Sequence, residues 1–268
     1  MGEKTRILFL SANPPNTGPI RVDEEAREVF KRLEEGSNRE AFELIKHPAL
    51  RAGDLQLLLM KYEPEIVHFS GHSSLAQRIF MEGTGGKGKQ IATDALVEVF
   101  RLYKDHVRLV VLNACNTKGQ AQALTTVIDY TIGAGKGIGD RAAIKFAGAF
   151  YRALSFAMPV EKAFESAKAE LLIQKIRRSK GLELFKRNSL NASKCIVDEP
   201  DASAGGQGVA LEAAAFRDLI EGEVGSGESR LLRSAVINGI LNHQIENAAE
   251  GSRKRRRVFQ RSQRPAEM

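Results

Sequence analysis

Over the first 190 or so residues, short continuous apolar runs alternate with stretches in which apolar side chains recur every three to four positions. Residues 7–10 form such a run and predict a buried strand. Asp23 then predicts a helix N-terminus, with Ala26, Val29, Phe30 and Leu33 on one apolar face. Residues 42–45 read as a second strand, and Leu55, Leu58, Leu59 and Tyr62 mark a second helix. Residues 65–70 make a third strand that ends in Gly71-His72-Ser73. Residues 78–81 and 89–92 flank a glycine-rich turn and predict a hairpin. Thr93 caps a helix carrying Leu96, Val99, Phe100 and Tyr103, and residues 107–114 are the most apolar strand, with Cys115 at its end. Helix is expected over residues 120–128, strand over 130–134, and a long helix starting at Asp140. A further helix follows Pro159, and a last strand is expected over 182–186.

Strand–helix alternation with uninterrupted apolar strands predicts an α/β fold: a mostly parallel sheet covered by helices on both faces. In such sheets the working site lies beyond the C-terminal strand ends. His72 and Cys115 both fall at that edge, on successive sheet strands. Residues 1–192 form this domain. Residues 193–227 read as a linker, with a run of small residues at 202–208. Residues 228–250 read as one amphipathic helix and 251–268 as a basic disordered tail. That C-terminal part has too little apolar material for a core of its own.

Charge changes the picture less than its total implies. The chain carries a formal +7, but residues 253–268 hold seven basic side chains and one acid, so the other 252 residues are within one charge of neutral. A nucleic-acid-binding fold is therefore not implied. The tail alone could meet nucleic acid, an anionic surface or an acidic protein, and a solvated tail is the preferred reading. No apolar run approaches the ~18 residues of a membrane span, and the sequence does not open as a signal peptide. With two cysteines, Cys115 and Cys195, a disulfide framework is excluded. The expected setting is the cytoplasm, without a membrane partner.

A thiol is a poor nucleophile at neutral pH until a base takes its proton. His72 is the candidate base for Cys115, and the backbone N–H groups of Ser73 and Cys115 are candidate oxyanion donors, since both lie in turns leaving strand ends. On residue types alone, a structural cysteine near a structural histidine is the favoured alternative. A zinc set of His68, His72 and Cys115 lacks a fourth ligand nearby, and His68 mid-strand reads as a packed core histidine. Residues 83–89 (GTGGKGK) imitate a phosphate loop but put Gln90 where Ser or Thr would hold magnesium. That run and residues 133–139 (GAGKGIG) read as turns.

The segments 4–15 (KTRILFLSANPP), 22–28 (VDEEARE), 64–72 (PEIVHFSGH), 107–115 (VRLVVLNAC), 120–124 (QAQAL) and 138–151 (IGDRAAIKFAGAFY) resemble the CHAT family in order and spacing. The resemblance implies a caspase-like three-layer sandwich and a cysteine endopeptidase of clan CD, with the histidine at His72 and the nucleophile at Cys115. It also implies oxyanion donors on Ser73 and Cys115, no metal or organic cofactor, and a protein substrate. The family's usual role is a bacterial effector released by an activator or sensor protein. The sequence departs from the family pattern at Ser73, where glycine is usual, and at 133–139. The resemblance places Asn113 at the S1 pocket, and Asp140 is a further candidate there, favouring a basic P1 residue. For Asp140 the helix N-cap is the preferred reading. The alternative function is a catalytically inactive caspase-like scaffold that binds proteins.

Overall fold

A computed structural model describes residues 4–176 and 181–188. The linker, amphipathic helix and basic tail expected from residue 193 onward lie outside the described residues, as does Cys195.

Among the described residues, eight strands and six α-helices follow one another as β1 (Thr5–Ala12), α1 (Val22–Leu33), β2 (Phe42–His47), α2 (Asp54–Tyr62), β3 (Ile66–Gly71), β4 (Phe80–Glu82), β5 (Gly88–Gln90), α3 (Thr93–Leu102), β6 (Leu109–Asn113), α4 (Lys118–Leu124), β7 (Tyr130–Ala134), α5 (Asp140–Ser155), α6 (Val160–Ile173) and β8 (Leu182–Lys186). Six strands make one sheet in the order β2-β1-β3-β6-β7-β8. The first five are parallel and β8 closes the edge antiparallel to β7. The expected α/β class and mostly parallel sheet are therefore present.

Both faces of the sheet are covered, which is why the central strands are apolar at consecutive positions. Ile7, Phe9, Ile66, Leu109 and Val111 pack with Ala26, Val29, Phe146, Phe150 and Phe164 of α1, α5 and α6. Leu8, Leu10, Val67, Phe69, Val110 and Leu112 point the other way, toward Leu58, Leu59, Leu96, Phe100 and Leu124 of α2, α3 and α4. Residues 83–87 of the glycine run form the turn between the antiparallel strands β4 and β5, and residues 88 and 89 open β5. Gly85 and Gly86 there take φ of +72° and +75°, a region side chains disfavour.

Several local expectations are corrected. Asp23, Thr93 and Asp140 lie inside their helices, with Arg21, Ala92 and Gly139 at the N-caps and no side-chain cap bond at any of the three. Asp23 and Asp140 suit a first turn because the helix N-terminus attracts negative charge. Phe30 is 53% exposed, so the buried stripe of α1 is narrower than the pattern implied. Helix α4 stops at Leu124 rather than residue 128. Thr125 and Thr126 donate their hydroxyls to the carbonyls of Gln122 and Ala123, at 2.6 and 2.8 Å, where the helix ends.

Candidate active site

The register of β3 against β6 dictates the site. Ser70 pairs with Asn113 as the last step of this parallel ladder. Two residues further on, just past the ends of β3 and β6, come His72 and Cys115. The turns that follow are tied together. Ser73 Oγ donates to the backbone carbonyl of Cys115. The Asn116 side-chain amide donates to the carbonyls of Ser74 (2.8 Å) and Leu75 (3.0 Å).

The corner after β6 is strongly specified. Asn116 adopts φ +58°, which asparagine tolerates better than most side chains. Its N–H donates to Gly135 O, and the Thr117 N–H to Ala134 O at 2.7 Å. Thr117 Oγ1 donates toward the carbonyls of Leu112 and Ala114 and accepts from the Ala134 N–H. Cys115 thus sits exposed on a corner fixed on both sides. Its Sγ lies 3.1 Å from the carbonyl oxygen of Ile138, in the loop between β7 and α5.

The histidine turn is equally constrained. Phe80 N–H donates to His72 O and Ser74 N–H to Arg78 O, flanking an antiparallel bridge between Ser73 and Ile79. In that pattern the Ser73 N–H points away from residue 79. The buried Gln120 side chain of α4 accepts from Ile79 N–H (2.9 Å) and donates to Ile91 O (3.0 Å). His72 is partly exposed, yet its Nε2 is buried and has no hydrogen-bond partner among the described residues.

These turns leave a strongly matching part of the chain: residues 9–204 match the CHAT domain. The chain belongs to the CHAT domain family. It is 25% identical over 156 residues to a Roc-COR-CHAT protease from an unknown prokaryotic organism, covering 56% of this chain and 15% of that protein. It is 23% identical over 150 residues to a probable protease from Gillisia limnaea, covering 55% of this chain and 26% of the relative. The chain therefore spans only a small part of the length of these curated relatives. A secreted C11 cysteine protease from Bacteroides thetaiotaomicron, solved with an irreversible peptide inhibitor, superposes with a TM-score of 0.48 at 13% identity, covering 69% of this chain and 66% of that one.

Within this CHAT domain the expected three layers are present, a mostly parallel sheet between two layers of helices, and the other sequence-predicted residues can be placed in it. Asn113 is buried beneath the strand ends, its amide donating to Glu25 Oε1 (2.6 Å) and Ala143 O (3.1 Å). Two acceptors on one nitrogen fix the amide orientation, so Oδ1 is the atom left without a partner among the described residues. Asp140 is on the surface at the start of α5, and Arg21 Nε donates to its Oδ2 at 2.7 Å. His68 is fully buried, stacked on Phe9 with ring centroids 4.7 Å apart. Its Nε2 lies 2.6 Å from Glu25 Oε1 and its Nδ1 3.1 Å from the Tyr151 hydroxyl. A carboxylate can only accept, so Nε2 carries the proton toward Glu25. Burial first, and then the Glu25 charge, push the Tyr151 hydroxyl well above its ordinary value, so it remains an O–H donor for Nδ1. His68 is thus the packed core histidine expected. Among the described residues no cluster of His, Cys, Asp and Glu has the makings of a metal site, and no helix is long and apolar enough to cross a membrane.

Sequence reasoning assigned no role to Glu25, Ser70, Asn116, Gln120 or Tyr151. All five stand in or beside the quoted motif segments, but their side-chain partners are 29 to 88 residues away.

Proposed function

We propose that the chain is a cysteine endopeptidase acting through Cys115 and His72. The observation that carries this reading is the buried, unpartnered Nε2 of His72 at a turn bonded directly to the Cys115 backbone. An unpaired buried ring nitrogen is costly and is uncommon in a purely structural histidine.

In the proposed reaction His72 takes the Cys115 thiol proton, and Sγ bonds to the substrate carbonyl carbon. The resulting oxyanion is held by the N–H groups of Ser73 and Cys115. The carbon–nitrogen bond then breaks as His72 returns its proton to the leaving amine. Water, deprotonated by His72, hydrolyses the thioester. No group beyond the chain is required. The substrate is a protein, and Asn113 and Asp140 border its P1 residue. Sγ also lies 3.1 Å from Ile138 O, in the loop that leads into α5. In this reading the chain is a regulated effector in a bacterial defence or signalling system, switched on by an activator or sensor protein.

The departures from the family pattern at Ser73 and at 133–139 favour one second reading, an inactive scaffold that binds proteins. Incubating a diverse peptide library with the wild-type chain, Cys115→Ala and His72→Ala, in reducing buffer with chelator, separates the two. Cleavage confined to the wild type is the expected result. Cleavage that survives Cys115→Ala overturns the assignment. Silence of all three, with Cys115 no more reactive toward iodoacetamide than a small-molecule thiol, establishes the scaffold.

A further inference from the structure

Beneath the two turns lies a buried carboxylate that the proposed reaction does not use. Glu25 on α1 is 3% exposed. Its Oε2 accepts from Ser70 Oγ at 2.8 Å, and its Oε1 accepts from Asn113 Nδ2 at 2.6 Å and from His68 Nε2 at 2.6 Å. Ser70 and Asn113 are register partners, so one carboxylate bridges the last rung of β3 and β6. His72 and Cys115 follow two residues beyond that rung, just past the strand ends. His68 and Asn113 extend the same network to α5 through Tyr151 and the Ala143 carbonyl.

Stability alone is a poor reason for this arrangement. A buried charged group carries a large desolvation cost, and well-packed apolar side chains commonly do as well. A carboxylate does what an apolar side chain cannot: its two oxygens take Ser70 and His68 from β3 and Asn113 from β6, and so fix the lateral spacing of the strand ends. Small displacements at reacting groups are expensive in rate.

We infer that Glu25 is a positioning residue for the His72–Cys115 pair, acting through Ser70 and Asn113. This rests on the peptidase reading, and its test separates the two. Alkylation of Cys115 by iodoacetamide is followed from pH 5.5 to 9.5 in the wild type, His72→Ala and Glu25→Gln, each well below its measured Tm. Where His72 stabilises the thiolate, the wild type reacts at low pH and His72→Ala does not. Glu25→Gln keeps the shape but replaces one acceptor oxygen with a donor. Its low-pH rate is expected to fall about 5-fold or more, while its rate at pH 9.5 stays within about 2-fold of wild type. On any cleaved peptide, kcat falls and KM holds.

A Glu25→Gln protein with lower Tm but a wild-type profile, beside an altered His72→Ala, overturns the inference and leaves the peptidase reading standing. A His72→Ala profile identical to wild type overturns both. Should Glu25→Gln not fold, Ser70→Ala, which removes one of the three donors, is read the same way. An intermediate loss at low pH supports the role, and a wild-type profile overturns it.

Discussion

The Ser73 hydroxyl donates to the backbone carbonyl of Cys115, joining turns whose residues lie 42 positions apart in sequence. The family's usual glycine has no side chain with which to make this bond. Ser73→Ala removes the tie but keeps the backbone N–H proposed for the oxyanion. Loss of one hydrogen bond costs about 1 kcal/mol, which corresponds to a fall in kcat/KM of roughly 5-fold. A loss as complete as that of Cys115→Ala would show that the hydroxyl, not the amide, is the essential group.

Gly71 is the last residue of β3 and directly precedes His72. A Cβ there would stand 2.7 Å from Phe69 Cζ and 2.8 Å from the carbonyl oxygen of Ala12. The backbone oxygen cannot step aside, so the strand end must move. Gly71→Ala should lower stability by about 1–3 kcal/mol in urea unfolding and reduce cleavage more than its loss of folded protein explains. Unchanged stability would mean that the strand end yields easily.

Arg21 bonds both Asp140 and Glu24, at 2.7 and 2.8 Å. Asp140 begins α5 two residues after Ile138, whose carbonyl meets the Cys115 thiol. If Asp140 selects a basic P1 residue, the resident guanidinium competes with the substrate. Arg21→Ala should raise kcat/KM for peptides with Arg or Lys at P1, and Asp140→Asn should abolish the preference. A P1 profile indifferent to both changes removes Asp140 from the pocket.

Glu28 joins α1 to α5 through Lys145 (2.9 Å) and pairs with Arg32 (3.1 Å) on its own helix. Burial pushes its carboxyl up, but hydrogen bonds from Lys145 and Arg32, with their charges, outweigh that and hold it below the ordinary value of 4.5. A depressed folded-state value means stability that is complete above the ordinary pKa and lost as pH falls through the lower folded one. Glu28→Gln should cost about 1–2 kcal/mol at pH 7, and the difference from wild type should shrink below pH 4.5. A difference that persists undiminished at pH 3 would assign the effect to packing.

What was legible in the sequence is what repeats locally. Tyr130–Ala134 and Leu182–Lys186 appear at the predicted bounds because continuous or edge-strand apolar runs have one reading between turn signals. His72 and Cys115 could be placed at one sheet edge because both follow apolar runs. The Glu25 network was illegible for a physical reason. Nothing in the spacing of Glu25, Ser70 and Asn113 distinguishes a helix acid, a strand serine and a strand asparagine from solvent-facing residues. Only the packing of α1 across the strands brings them together. Phe30 misled in the opposite sense: helical spacing places it beside Val29, but the contact with the sheet is too narrow to include it.

The strands β3 and β6 are neighbours in the sheet, but the β4–β5 hairpin and α3 intervene along the chain. As synthesis proceeds, the histidine turn is complete well before the cysteine turn exists. Bringing them together requires closure of a long loop, an entropically slow step. A nascent or partly unfolded chain therefore holds an imidazole and a thiol with no fixed relation. Their placement at one sheet edge belongs to the finished sheet, so quality control of folding is also control over when this thiol and this imidazole reach the same edge.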